Sequence, residues 1–334
     1  MRKVFIIAEA GVNHNGSLKT AKKMVDAAAK AGCDAVKFQT FRAESLACAH
    51  APKAAYQKRS TGRSGSQCDM LKKLELDDKS HKVLKRHCAK RGIEFISTPY
   101  DKGSVSFLCR LGVKTIKIPS GEITNYPYLR EIGGSGKRVI LSTGMSGMGE
   151  VRQAVRVLAA AGTKRGRITV MQCNSEYPTP FRDANILAML TLKKALNLDA
   201  GYSDHTPGIE APIAAAALGA TVIEKHFTLD RKMKGPDHKA SLEPGELAAM
   251  VRAIRNIEKA LGDGVKKPSP SESGNKVIVR KSIVAARRIA RGESFCPENL
   301  AVKRPGNGIS PMEWERVIGR KAKRSFKRDE LIKL

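Results

Sequence analysis

Eight times in its first 260 or so residues this chain of 334 residues passes from a short β-branched or apolar run into an amphipathic helical stretch. The predicted strands are Val4 to Ala8, Ala35 to Gln39, Glu94 to Ser97, Thr115 to Pro119, Val139 to Ser142, Ile168 to Gln172, Ala200 to Ser203 and Thr221 to Lys225. Helical stretches such as Leu18 to Ala31 and Glu150 to Ala161 follow them. Repeated β then α implies a parallel sheet with crossover helices, and eight such units imply closure into a (β/α)8 TIM barrel. A doubly wound open sheet is the alternative, but AEAGVNHNGS after the first strand lacks the GxGxxG spacing that accompanies dinucleotide-binding versions of that fold.

A long insertion, roughly Arg42 to Leu76, separates the second strand from its helix at the end of the barrel where chemistry belongs. Near Gly262 the alternation stops. The expected organisation is a catalytic barrel over 1–262, a linker over 263–277 (DGVKKPSPSESGNKV) and a small β-rich domain over 278–334.

Composition narrows the function. No apolar run approaches the roughly 18 residues that span a bilayer, and Glu9 interrupts the short apolar start, so neither a membrane protein nor a signal peptide is expected. Seven dispersed cysteines without a CxxC pair read as reduced thiols of a cytoplasmic protein. The formal charge of +29, from 61 Lys+Arg against 32 Asp+Glu, invites a nucleic-acid reading. The basic residues are mixed with acids and come with no nucleic-acid-binding motif, however, so no nucleic-acid partner is expected. Positive potential that draws in an anionic small substrate fits better.

Polar residues gather at the C-terminal ends of the predicted strands, where side chains of a parallel barrel converge. They are Glu9, Lys37, Gln39, Thr98, Lys117, Ser120, Glu122, Thr143, Tyr177, His205 and His226. His205 and His226 end neighbouring strands about 4.8 Å apart, so both imidazoles can reach one ion. Two protein ligands leave positions for water and substrate, as in a catalytic Mn²⁺ or Mg²⁺ site, although a pair of hydrogen-bonded core histidines is the simpler reading of the two residues alone. Glu122 in KIPSGE, across the mouth, is a candidate general acid or base, with a salt bridge to Lys117 or Lys37 as its structural alternative. Lys37 and Lys117 with the Thr98 and Ser120 hydroxyls form a candidate phosphate cradle; one lysine acting as a Schiff-base nucleophile of a pyruvate aldolase is the rival. His14, His50, His81 and His87 read as ordinary surface or loop residues, His238 as a loop candidate, and Asn13 and His14 as possible neighbours of the mouth.

The ordered motifs IIAEAGVNHNG, AVKFQTF, APKAAYQ, FISTPYD, KIPSGEITNYPYL, LSTGM, SEYPTPF, GYSDHT, IEKHFTLD, GPDHKASLEP and KRPGNGISPMEW resemble the sialic acid synthases over essentially the whole chain. The resemblance implies a barrel followed by an antifreeze-like (SAF, β-clip) domain. It also implies a domain-swapped homodimer, and condensation of phosphoenolpyruvate with an N-acetylated hexosamine at a divalent metal. Carried over by residue, it implies Glu122 as catalytic acid/base, Glu9 positioning the open-chain sugar, and His205 with His226 as metal ligands. Lys37, Thr98, Lys117, Ser120, Ser175 and Ser203 would surround phosphoenolpyruvate. Gln39, Tyr177 and Asp237 would face the hexosamine, with Arg304 of the partner subunit closing over its acetamido group. Gln172 and Ser175 depart from the residues common in the family. The products within reach are N-acetylneuraminate, N,N′-diacetyllegionaminate and pseudaminate. A glycan- or ice-binding module with an inactive barrel is a further class, which intact Glu122, His205 and His226 disfavour.

Overall fold

A computed structural model describes residues 3–62 and 64–334. Among them eight parallel strands close a barrel: β1 (Phe5–Gly11), β2 (Ala35–Thr40), β3 (Glu94–Pro99), β4 (Thr115–Ile118), β5 (Arg138–Ser142), β6 (Ile168–Cys173), β7 (Asp199–Asp204) and β8 (Val222–His226). Closure is direct, because β1 pairs with β2 on one side and with β8 on the other. The strands follow the β-branched runs of the sequence, since such side chains pack well on a pleated surface buried on both faces.

Crossover helices clothe the barrel: α1 (Leu18–Lys30), then α2 (Ala43–Leu46), α3 (Ala55–Thr61) and α4 (Gln67–Lys72) within the insertion. After them come α5 (Asp78–Lys90), α6 (Lys102–Leu111), α7 (Tyr126–Gly134), α8 (Met148–Ala160), α9 (Ala188–Leu196), α10 (Glu210–Ala217) and α11 (Pro244–Ala260). Helix α1 illustrates the local logic. Ser17 caps it by accepting from the Thr20 amide, and the buried set Ala21, Met24, Val25 and Ala28 recurs at the three-and-four spacing of one helical face.

Strand alternation stacks the barrel interior in two layers. The lower layer is an apolar plug of Ile7, Ala35, Ile96, Ile140, Met171 and Val222. Two residues further along these strands, on the same face, stand Glu9, Lys37, Thr98, Ser142, Cys173 and Glu224, polar but for the thiol, and that layer is the floor of the mouth. The insertion adds a satellite core of its own, built on Val12, Phe41, Cys68, Met70, Leu71 and Leu74.

The chain divides into two compact units, Met1–Gly262 and Asp263–Leu334. Within the second, α12 (Pro270–Val279) precedes an antiparallel pair, β9 (Ser282–Ala285) and β10 (Leu300–Lys303), and α13 (Trp314–Val317). Isolated bridges such as Ile289 to Phe326 and Ser294 to Lys321 knit the rest around Ile283, Ile289, Phe295, Val317 and Phe326. The stretch expected to be an irregular linker is helical from Pro270. Proline at the first helical position and Glu272 in the first turn start the helix, although none of its residues is buried.

At the foot of the barrel Asp34 accepts hydrogen bonds from Lys3 Nζ (2.7 Å), the Ile6 amide (2.9 Å) and Arg255 of α11 (2.6 Å). Burial opposes its charge, but these donors outweigh it and hold the carboxyl below its ordinary value. A depressed carboxyl stabilises the fold above the unfolded-state pKa, and that contribution disappears as pH falls through the folded value. Asp34→Asn is therefore expected to lower stability at pH 7 by about 1–2 kcal/mol, allowing for partial solvent screening. In urea unfolding the gap between wild type and variant should shrink once pH drops below about 4.

Candidate active site

The floor of the mouth is a cavity of about 170 Å³. Four charged side chains form it, each at least 96% buried: Glu9 on β1, Lys37 on β2, Lys117 on β4 and Glu224 on β8. Lys37 Nζ lies 2.8 Å from Glu9 Oε1 and 3.6 Å from Glu224 Oε1, and it donates to Thr98 Oγ1 at 3.0 Å. Lys117 Nζ lies 3.5 Å from the same Glu224 oxygen, which also accepts from Ser203 Oγ at 3.2 Å. Burial pushes the Glu9 carboxyl up to about 7, Glu224 adding to the shift and Lys37 opposing it. Burial acts on Glu224 in the same direction, but Lys117 and Lys37 prevail and keep its carboxyl below the ordinary range. Two buried carboxyls therefore differ in readiness to hold a proton, as acid/base sites require. Lys117 is held below its usual value, chiefly by burial, and Lys37 above it because two carboxylates outweigh burial.

His205, just past β7, and His226, closing β8, stand with ring centroids 5.4 Å apart. His205 Nδ1 bonds to the Asn174 carbonyl, so that nitrogen carries the proton and Nε2 keeps its lone pair. Burial, then the neighbouring His205 and the lysines, hold His226 well below its ordinary value and so neutral. His226 Nδ1 and Glu9 Oε2 are buried without a protein partner. Buried polar atoms are ordinarily satisfied, so these two mark the place where a further group belongs. Burial opposes charge on His205, but Cys173 and the Asn174 carbonyl outweigh it and hold that imidazole above its ordinary value, so of the two histidines His226 is the one held neutral. An ion on both imidazoles beside a carboxylate would displace a second proton from His205 on binding. Among the described residues no group of three His, Cys, Asp or Glu side chains is arranged to hold an ion, so His205 and His226 are the candidate ligands as a pair.

Local backbone makes room for this. The β1–β2 register shifts between Glu9 and Gly11, and Gly11 has φ +50°. A Cβ on Gly11 would lie 3.4 Å from both Glu9 Oε1 and His226 Cε1. On the opposite rim a Cβ on Gly144 would collide with the Ser175 and Ser120 hydroxyls, and the Gly144 amide donates to Ser120 Oγ at 2.9 Å.

Lys37, Gln39, Thr98, Lys117, Ser120 and Ser175 line this cavity, as do Tyr177, Ser203, His205, His226 and Glu9. Asp237 borders an adjoining cavity of about 210 Å³ that shares Gln39, Tyr100, Tyr177 and His226 with the first. Burial raises the Asp237 carboxyl to about 6. Glu122 differs from expectation. It lies in a 3₁₀ turn, Ser120–Glu122, that carries Ser120 and Gly121 into the cavity wall while the Glu122 carboxylate accepts from Asn125 Nδ2 at 2.6 Å, outside the lining. It makes no salt bridge with Lys37 or Lys117. Arg304 lies in the second unit, exposed, with Nε donating to the Val279 carbonyl at 3.0 Å.

Sequence reasoning missed Glu224, although it stands two residues before His226 and strand alternation puts it on the same inward face. The same rule favours Ser142 over Thr143. Ser142 lines the cavity, while Thr143 Oγ1 donates to the Met171 carbonyl. His14 and His81 are buried rather than superficial: His14 Nδ1 accepts from the Gly16 amide, and His81 Nε2 pairs with Thr40 Oγ1. Asn13 is likewise structural, donating to the Phe227 carbonyl and Ser241 Oγ.

The NeuB family model matches residues 24–266, and the SAF domain model matches residues 280–334. The chain belongs to the NeuB family. This NeuB-family chain is 55% identical over its full length to the N,N′-diacetyllegionaminic acid synthase of Campylobacter jejuni, all of which it covers. It is 46% identical to the enzyme of that name from Legionella pneumophila, over 94% of this chain and 89% of the relative. The crystal structure of the N-acetylneuraminic acid (sialic acid) synthetase of Leptospira borgpetersenii superposes with a TM-score of 0.72 at 37% identity, covering 82% of this chain and 90% of that one.

On the outer face of the same strands Lys225 Nζ meets Asp204 Oδ2 at 2.5 Å and also bonds the Thr206 carbonyl, both partners being 1% exposed or less. Asp204 in turn accepts from the Thr206 amide and hydroxyl. The pair flanks both histidines in sequence and fixes the end of β7 against β8. Lys225→Met is expected to cost about 3–5 kcal/mol in denaturant unfolding, because it strands a buried carboxylate. The double variant Asp204→Asn with Lys225→Met should recover part of that loss.

Proposed function

We propose that this NeuB-family protein condenses phosphoenolpyruvate with an N-acetylated hexosamine, foremost 2,4-diacetamido-2,4,6-trideoxymannose, giving N,N′-diacetyllegionaminate and inorganic phosphate. The observation that carries the reading is the convergence of Lys37, Lys117, Glu9 and Glu224 with His205 and His226 on one barrel mouth. Identity of 55% to a protein named for that product favours the diacetylated acid over N-acetylneuraminate.

In the reaction C3 of the enol phosphate bonds to the aldehyde carbon, water adds at C2, and the C2–O bond to phosphate breaks. Lys37 and Lys117, with Thr98, Ser120, Ser175 and Ser203, hold the phosphate and carboxylate of phosphoenolpyruvate. Each lysine already faces a carboxylate, so the protein alone leaves the mouth close to neutral. His205 and His226 would hold a divalent cation, Mn²⁺ or Mg²⁺, which would supply the missing positive charge and Lewis acidity. Gln39, Tyr177 and Asp237 orient the sugar. Two protons must move: the attacking water loses both as it becomes the C2 carbonyl oxygen, one reaching the new hydroxyl and the other the departing phosphate. Glu9, poised near neutrality inside the cavity, is placed in that role, and Glu122 at the rim acts through Asn125 and the turn after β4.

We further propose a cytoplasmic homodimer in which Arg304 of the partner subunit closes over the acetamido group. The seven free thiols agree with a reducing compartment. No described helix is long and apolar enough to cross a membrane.

Glu9→Gln is expected to lower kcat by about 10²- to 10⁴-fold, the usual worth of general acid–base catalysis, while Glu122→Gln costs less than about tenfold. Equal turnover of Glu9→Gln and wild type would take Glu9 out of the proton path. Chelation should abolish phosphate release, with Mn²⁺ or Mg²⁺ restoring it. Mn²⁺ binding followed by electron paramagnetic resonance should weaken in His205→Ala and His226→Ala.

One observation favours a second reading: burial depresses Lys117, as a Schiff-base nucleophile requires. Against it, Lys117 is matched to Glu224 and two imidazoles share the cavity. Borohydride treatment with pyruvate is expected to leave no lysine adduct, and a trapped adduct with chelator-resistant turnover would favour the aldolase.

A further inference from the structure

The second cavity, beside the charged one, has a different chemistry. Its far wall is Val12, Leu46, Met70, Leu71 and Leu74, all members of or packed on the satellite core that the insertion builds outside the barrel. Its polar part includes, beside Tyr56, Tyr100, Tyr177, His226 and Asp237, a set of neutral amides: Gln67 Nε2 donates to Gln57 Oε1, which also accepts the Ala54 amide, and Gln57 Nε2 reaches Tyr56 OH. Among the described residues no lysine or arginine lines it and Asp237, beside Pro236, is its one carboxyl. Tyr56 and Tyr177, with ring centroids 5.0 Å apart, flank the passage to the charged cavity.

The reacting aldehyde must sit where the two cavities meet, at Gln39, Tyr177 and His226, because the histidines and the enol phosphate site lie on one side of that junction. The sugar carbons furthest from the aldehyde then enter the apolar cavity. A terminal methyl group directed at Leu46, Met70, Leu71 and Leu74 buries favourably, whereas a hydroxymethyl group directed at the same face would lose water without gaining a partner there. A second acetamido group finds amide donors and acceptors in Gln57 and Gln67.

From this geometry we propose that Leu46, Met70, Leu71 and Leu74 form a specificity wall that selects a 6-deoxy, 4-acetamido hexose tail over the 4,6-dihydroxy tail of N-acetylmannosamine. The proposal deepens the condensation proposed above and rests on it. An apolar wall rejects an added hydroxyl only modestly, by about 10²-fold, so the preference is finite and the hydroxylated sugar remains a slow substrate.

The test measures kcat/KM for 2,4-diacetamido-2,4,6-trideoxymannose and for N-acetylmannosamine by phosphate release, in wild type and in two variants. Leu46→Gln changes a half-buried position and Met70→Gln a buried one, and the ratio of the two sugars within one preparation is independent of how much of it is folded. Wild type should favour the deoxy sugar by about 10²-fold. Each variant should reduce that ratio at least fivefold, mainly through loss with the deoxy sugar. Release with both sugars at ratios that neither variant shifts overturns the wall while leaving the condensation standing. Wild-type preference for N-acetylmannosamine overturns it as well. Phosphate release with neither sugar overturns the underlying reading instead.

Discussion

Two ammonium groups and two carboxylates are removed from water inside the upper barrel, and several kcal/mol of desolvation per ion must be offset there. The structure meets this cost by sharing: Glu224 Oε1 faces both lysines and a serine hydroxyl, and Lys37 faces both carboxylates and Thr98. Such a cluster tolerates little rearrangement, because moving any member exposes another to an unfavourable field. The same mutual dependence spreads the protonation of Glu9 and Glu224 apart and keeps His226 neutral. A set of side chains that must coexist for electrostatic reasons is thereby also arranged for proton movement beside an anion.

Support for this cluster comes from layers with different chemistry. Beneath it the apolar plug fixes strand spacing and denies water access from the foot of the barrel. Outside it the Asp204–Lys225 pair joins the strands that carry the histidines. At Gly11 the register shift brings backbone with φ +50° against Glu9 and His226, a conformation that glycine adopts without strain. Ile7, Ala35 and Val222 of the plug, Gly11 and Lys225 each lie within two residues of a charged group on the same strand, so much of the geometry of the mouth is inherited from the strands themselves.

Much of this could be read from residue order, and the failures have physical reasons. Strand existence and the inward set Glu9, Lys37, Thr98, Lys117, His205 and His226 follow from β-branched runs and a period of two, while Ser203 comes from the family resemblance. The same period, applied backwards from His226, would have found Glu224, but a Glu beside a Lys reads as an ordinary ion pair in isolation. Glu122 stands outside the cavity lining for a different reason. It lies beyond the end of β4, in a 3₁₀ turn where strand alternation no longer sets direction, and Asn125 captures its carboxylate. His14 and His81 were legible only with tertiary partners in view, since burial depends on elements distant in sequence. The helix from Pro270 was hidden by a composition rich in serine, proline and charge, where one well-placed proline outweighs the average.

The insertion between β2 and α5 encloses hydrophobic residues of its own, apart from those of the barrel. A collar with private packing can be rewritten over evolutionary time while the reacting centre beneath stays constant. Relatives sharing one bond-forming chemistry could thus diversify the glycans they decorate by exchanging a few dozen residues at the rim, without renegotiating the electrostatics below.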